Sequence, residues 1–234
     1  MSARELLLSG AGDWGLTLSP AMLDAFDEYA AYLAEQNAVM DLTAVTGAEE
    51  TVKRHFLDSL SLARVADFAG KRVIDVGCGA GFPGLPLKIA VPDMRLTLLD
   101  AQQKRVDFLA ALCERLNVDA ECLHARAEEQ ALKPEYREGF DFAVSRAVAQ
   151  LNQLCELTLP FVKVGGALLA MKAKDCADEV SEAANAMRTL GAELERIESL
   201  LVCGVERSIV ILRKTEPTPA GYPRRFARIQ KKPL

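Results

Sequence analysis

The residues best suited to chemistry lie together in one stretch, VIDVGCGAGFPGLPLKIA, over residues 73–90. Val73, Ile74, Asp75 and Val76 read as a buried parallel strand. Gly77, Gly79 and Gly81 follow at once, then a Pro-containing segment whose periodicity turns helical. A strand feeding a glycine turn and a helix is where open α/β sheets bind nucleotide-like ligands, at the carboxyl ends of the strands. The dinucleotide pattern G-x-G-x-x-G occurs here as Gly79, Gly81 and Gly84. Two residues oppose a pyrophosphate. Pro83 removes a backbone N–H that should face it, and Asp75 sets a carboxylate beside the turn. A ligand carrying an amino acid in place of phosphates suits that carboxylate. S-adenosylmethionine fits, because its ammonium and sulfonium are both positive. The alternative role for these residues is a tight turn in which Asp75 only caps the helix.

The following elements support the same ligand. RLTLLD, residues 95–100, is strand-like and ends in Asp100, 23 residues after Gly77. A carboxylate at that place is suited to accept hydrogen bonds from both ribose hydroxyls. Residues 104–116 carry apolar side chains at 106, 108, 109, 112, 113 and 116, one face of a helix. AECLHA, residues 120–125, reads as a third strand, and its end is where an adenine edge would be read. Glu128 and Glu129 beyond it serve equally well as acidic residues in a first helical turn.

Stepping outward, Ser19 and Pro20 make an N-cap and first helical position for a long helix to about Met40. A turn at 41–47 precedes a second helix over 48–67 that contains RHFLDSL. Residues 1–70 are therefore expected as a helical annex, 71–214 as the sheet-bearing core and 215–234 as a basic C-terminal tail. Further strands are expected at 140–146 (FDFAVSR) and 167–173 (ALLAMKA), with helices at 152–162 and 178–190. A closing hairpin pairs 197–203 with 208–213. Strands alternating with helices and ending in an antiparallel pair indicate a mostly parallel, doubly wound α/β sheet of seven strands.

Composition bounds the setting. Half of the 234 residues are hydrophobic, enough for a sizeable core. No apolar run reaches the ~18 residues of a membrane span, and the N-terminus does not resemble a signal peptide. The six cysteines form no C-x-x-C pair and sit mostly among apolar neighbours, which suits reduced thiols in a cytoplasmic protein. Only two histidines are present, so a histidine-rich metal site is excluded. The net charge of −5 conceals a basic end: Arg224, Arg225, Arg228, Lys231 and Lys232 stand without an acid between residues 221 and 234. Tyr222 and Phe226 are interleaved with them, a composition suited to RNA phosphates and unpaired bases, or to a solvated tail.

The loop after the fourth strand narrows the reaction. Methylation of an exocyclic amine generally calls for a polar–Pro–Pro–aromatic loop there, and this chain has SRAVAQ. Methylation of cytosine C5 needs a cysteine nucleophile, and neither Cys78 nor Cys155 is well placed. Guanine N7 needs neither base nor nucleophile, only positioning and electrostatics.

DLTAVT (41–46), RHFLDSL (54–60), DVGCGAGFPGLPL (75–87), LLDAQQKRVDFL (98–109), SRAVA (145–149) and the YPRR…KKPL tail together resemble the bacterial 16S rRNA guanine-N7 methyltransferases, a family first called glucose-inhibited division protein B. The resemblance covers nearly the whole chain. It implies a class I Rossmann-like fold and a cytoplasmic enzyme, expected to act as a monomer. That enzyme transfers a methyl group from S-adenosylmethionine to a guanine in the 530 loop of 16S rRNA or the small subunit. Carried over by position, it sets Gly77 and Phe82 against the cofactor, Ala127 and Glu128 at the adenine, and Arg146 at the methyl-transfer end, where it binds cofactor or RNA. Asp75, Gly79 and Asp100 join the cofactor set on the physical argument. His55, Lys172, Arg224, Arg225 and Arg228 are the expected RNA contacts. Two departures stand out: Ala173 replaces a usual glycine, and residues 226–230 lack the usual Gly and Pro. A methyltransferase acting on another RNA, a protein or a small molecule would share the cofactor motifs but leave the tail and Arg146 without a role. An NAD-dependent oxidoreductase is opposed by Asp75 and Pro83.

Overall fold

The apolar runs of this chain are placed by a seven-stranded sheet in the order β3-β2-β1-β4-β5-β7-β6 in a computed structural model that describes residues 2–173 and 175–234. The strands are β1 Arg72–Val76, β2 Arg95–Asp100, β3 Ala120–His124, β4 Phe140–Arg146, β5 Val162–Ala173, β6 Ala192–Val202 and β7 Val205–Lys214. β1 to β5 pair in parallel, and β7 runs antiparallel between β5 and β6. This is a Rossmann-like, doubly wound arrangement with a reversed strand next to one edge. Strand order reverses at β1, so the ends of β1 and β4 flank a crevice, the usual ligand position in such sheets. The central strands are covered on both faces, which explains why they read as continuous apolar runs. Val73 and Leu96 pack toward the N-terminal helices, and Ile74 and Val76 toward the opposite layer.

Two N-terminal helices, α1 Ala3–Asp13 and α2 Pro20–Met40, begin on serine caps. Ser2 and Glu5 form a reciprocal box, Ser2 Oγ accepting from the Glu5 amide at 3.2 Å and the Glu5 carboxylate accepting from the Ser2 amide at 2.8 Å. The sequence reading expected a helical annex here but delimited no helix before Ser19, so α1 is an addition. The helix expected over 48–67 is broken in pitch: α3 Ala48–Thr51 passes into a π-helical turn, Val52–Phe56, before α4 Leu57–Leu60 and a 3-10 turn, Ser61–Arg64. Phe26, Tyr29 and Phe56 pack in one cluster with Leu85, Leu96 and Leu109 of the sheet-bearing part. The hydrophobic core is therefore continuous across residue 70, and burying each such aromatic contributes roughly 1.5–3 kcal/mol.

The remaining helices are α5 Gly84–Ala90, α6 Gln103–Leu116, α7 Ala127–Gln130, α8 Leu151–Thr158, α9 Ala177–Glu182, α10 Ala184–Thr189 and α11 Phe226–Lys231. The single helix expected at 178–190 is interrupted at Ala183, which separates α9 from α10. The basic C-terminus is a docked element, with Ile229 of α11 fully buried against the layer that holds α8. Among the described residues no helix is long and apolar enough to cross a membrane.

Candidate active site

The glycine turn after β1 is shaped from both sides. Gly77 has φ +71°, and a Cβ there would lie 2.6 Å from Val148 Cγ2, so a side chain would be strained and would displace Val148. From the annex, the Tyr29 hydroxyl donates to the Ala80 carbonyl at 2.6 Å. From β2, Asp100 Oδ2 accepts from the Gly79 amide at 3.0 Å while Oδ1 accepts from the Gln102 amide at 2.9 Å. Asp100 thus fixes the turn as well as facing the crevice beside it. That crevice is a cavity of about 290 Å³ whose walls include Gly77, Asp100, Arg105, Ala127, Glu128 and Phe226.

Asp75 stands elsewhere. Its carboxyl is fully buried on the annex face of β1 and does not line the crevice. Oδ2 accepts from the Gly84 amide at 2.7 Å, which ties the start of α5 to β1. Gly84 must be glycine, because a Cβ would meet that oxygen at 2.9 Å. Oδ1 has no hydrogen-bond partner among the described residues, and burial pushes the carboxyl up to about 7. The structure shows the helix-start role.

A second cavity of about 500 Å³ opens beside the first, walled by His55, Asp58, Arg146, Lys172 and Arg207. Ala147 lines both. That residue has φ +57°, a left-handed conformation uncommon for alanine and a form of strain that concentrates at functional sites. Asp58, 3% exposed, divides its oxygens between two strands. Oδ2 pairs with Arg146 Nη1 at 2.8 Å and Oδ1 with Arg207 Nε at 2.8 Å. The π turn places the Arg54 carbonyl 3.1 Å from Arg146 Nη1 and sets the His55 ring in the same wall. Arg146 Nη2 lies 3.1 Å from His55 Nδ1. The same Nδ1 lies 3.0 Å from the Arg54 carbonyl, and Nε2 lies 2.7 Å from Thr43 Oγ1, so both ring nitrogens are engaged. Burial, reinforced by the Arg146 charge, lowers the His55 pKa to about 4. The imidazole is neutral at ordinary pH.

Phe82 lies beneath this second wall. It stacks on His55 at 4.4 Å and on Tyr29 at 5.4 Å, and the Arg146 guanidinium carbon sits 5.0 Å from its ring. Phe82 therefore shapes the second cavity from below and is not a wall of the first. Lys172 Nζ is held by the Ala149 carbonyl at 3.0 Å and by Glu179 Oε1 at 2.5 Å. The same Glu179 oxygen accepts from the Leu151 amide at 2.6 Å. Lys172 thereby braces the 147–150 loop as well as facing the cavity.

The sequence profile of the rRNA small subunit methyltransferase G family matches residues 22–210. The chain belongs to that family. A member from Acetivibrio thermocellus, "Ribosomal RNA small subunit methyltransferase G", is 41% identical over 237 residues, covering 100% of this chain and 98% of that one. One from Desulfitobacterium hafniense is 43% identical over 223 residues, covering 94% and 92%. Among solved structures, P. horikoshii TYW2 in complex with MeSAdo superposes with a TM-score of 0.54 at 15% identity, covering 68% of this chain and 62% of that one. M. jannaschii TYW2 in complex with AdoMet gives 0.51 at 13% identity, covering 64% and 71%. These two establish the fold alone.

The expected cofactor residues divide between sites. Gly77, Asp100, Ala127 and Glu128 line the first cavity; Gly79 supports it through Asp100; Asp75 and Phe82 lie outside it. His55, Arg146 and Lys172 line the second. Arg224, expected at RNA, is engaged within the fold: its guanidinium chelates the fully buried Glu156, with Nε–Oε1 2.8 Å and Nη2–Oε2 2.5 Å. Its charge is neutralised inside the fold, whereas Arg225 and Arg228 are exposed. The sequence reading missed Arg207 and set Phe226 with the RNA-suited tail, because only the β7 register and the docking of α11 bring them to the cavities. Asp58 lay in view inside RHFLDSL, and its three-residue offset from His55 was the available signal.

Proposed function

We propose that this enzyme methylates N7 of a guanine in the 530 loop of 16S rRNA, using S-adenosylmethionine bound across the ends of β1, β2 and β3. The observation that carries this reading is the meeting of the two cavities at Ala147. The first suits the cofactor by its donor set, with Asp100 at the ribose and Ala127 and Glu128 at the adenine. The orphaned Asp75 Oδ1 suits the ammonium if the turn above it yields slightly. When bound, the cofactor supplies an electrophilic methyl group, and attack by the N7 lone pair breaks the carbon–sulfur bond, leaving S-adenosylhomocysteine and a cationic N7-methylguanine. The chain needs no base for this. Arg146 and Arg207 present donors to the oxygen edge of the base, and Asp58 holds both guanidinium groups in place and offsets their charge. A neutral His55 spares the site a further positive charge beside a base that becomes cationic.

Residues 1–70 wall the substrate side, 71–214 carry the cofactor turn, and 215–234 close the far end of the crevice. Arg225 and Arg228 are available to phosphates, and contacts of that kind weaken with salt. The enzyme is taken to act as a monomer, and a substrate of this kind sets its work in the cytoplasm. The test is incubation with methyl-labelled S-adenosylmethionine and small subunits lacking the modification, followed by N7-specific chain cleavage. Label at a 530-loop guanine is the expected result. Cofactor binding with label elsewhere, or with none, overturns the assigned substrate.

A further inference from the structure

The C-terminal segment ends in α11, whose Ile229 is fully buried. The first residue of α11, Phe226, reaches the cofactor crevice and lines it beside Ala127 and Glu128. The segment is held firmly. Arg224 is chelated by Glu156, and the Arg137 guanidinium donates to the carbonyls of Thr218 and Tyr222, each at 2.9 Å. The Thr218 amide donates to Glu138 Oε1 at 2.6 Å. Beside the Phe226 ring, the Arg126 guanidinium carbon lies 5.8 Å from its centroid.

We propose that Phe226 is a wall of the adenine subsite, an aromatic face brought to the cofactor by the C-terminal segment. This rests on the reading of the crevice as the S-adenosylmethionine site. Strand order fixes which end of the cofactor Phe226 meets. Ala147, where the methyl must be delivered, follows β4; Gly77 follows β1; Asp100 ends β2; Ala127 and Glu128 follow β3. A cofactor with its methyl at Ala147 and its ribose at Asp100 carries its adenine to the β3 end, where Phe226 stands. Adenine has flat apolar faces, and an aromatic ring held by a packed segment offers stacking area with little ordering cost. The basic tail is thus part of the cofactor site, with Arg225 and Arg228 on its outer side.

The test uses calorimetric titration of the full chain with S-adenosylhomocysteine and with 5′-methylthioadenosine, which shares the adenine end and lacks the amino acid. Phe226→Ala weakens both by the same factor, roughly fivefold to twentyfold. Phe226→Trp in a Trp14→Phe background, which removes the chain's single natural tryptophan, retains affinity, and its emission changes on binding either ligand. Unchanged affinities in Phe226→Ala, or unchanged emission from Trp at this position, overturn the assignment. Asp100→Ala separates the two levels of failure. If it weakens binding and Phe226→Ala does not, only the adenine wall is wrong; if neither does, the crevice is not the cofactor site.

Discussion

Asp75 makes a prediction whose size follows from its surroundings. Its carboxyl has one hydrogen-bond donor, the Gly84 amide, and burial raises it from the ordinary 3.8 to about 7. A carboxyl with a folded pKa above its unfolded one binds its proton more tightly in the folded state. Its contribution to stability is therefore complete below about pH 4 and lost as pH rises through about 7. At about 1.4 kcal/mol per pH unit the whole interval amounts to about 4 kcal/mol, of which about 3 kcal/mol falls between pH 5 and pH 8. For a chain of this length that is a difference of roughly 6–12 °C in melting temperature. Wild type should lose that much relative to Asp75→Asn when scanned by calorimetry at the two pH values. A second consequence concerns the ligand. If the ammonium of S-adenosylhomocysteine settles on Oδ1, binding at pH 6 ionises a carboxyl that is roughly nine-tenths protonated. Titrations in two buffers of different ionisation enthalpy should then show release of nearly one proton, absent in Asp75→Asn. Identical pH dependence of melting in the two proteins refutes the raised carboxyl, and no proton release confines Asp75 to holding Gly84.

Three further outcomes are expected. Glu156→Gln or Arg224→Ala strands one partner of a buried ion pair and should cost about 3–5 kcal/mol by chemical denaturation, with the double variant losing less than the sum; additive losses would show that the two groups act independently. Asp58→Asn keeps the shape of its site but frees Arg146 and Arg207, so kcat on small subunits should fall tenfold or more while S-adenosylhomocysteine affinity holds, and an unchanged kcat removes Asp58 from the positioning of the guanine. His55 is neutral down to about pH 4, so His55→Gln should leave the shape of the pH–rate profile between pH 5.5 and 8 unaltered whatever it does to the rate. A limb near pH 6.5 present only in wild type would contradict the lowered value.

Much of the cofactor side was legible because its signals are local. Val73 to Val76, the glycines that follow and Asp100 sit within one β-turn-α-β unit, where period and spacing carry the information. The extent of β5 and β6 was underestimated, since both begin in polar or exposed stretches that lack the alternation of a half-buried strand. The π turn at Val52–Phe56 leaves no mark in helical periodicity, yet it sets the His55 ring in the cavity wall. The substrate side was harder because its decisive contacts are remote: Asp58 meets Arg146 across 88 residues and Arg207 across 149. The C-terminal basic run misled for a related reason. A charge count cannot show that Arg224 is matched by Glu156, 68 residues earlier, or that Ile229 is interior.

The placing of β7 between β5 and β6 carries a consequence for how the chain is made. Synthesis proceeds from the N-terminus, so β6 emerges before the strand that joins it to the sheet. Until residues 205–214 appear, the nascent protein holds a parallel sheet whose β5 edge, ALLAM, is open, and a β6 with nothing to pair with. An uncovered apolar edge of this kind invites pairing with other chains. The vulnerable interval closes in one late step, when β7 zips both neighbours together. A ribosome paused between β6 and β7 would therefore present the form of this protein most in need of a chaperone.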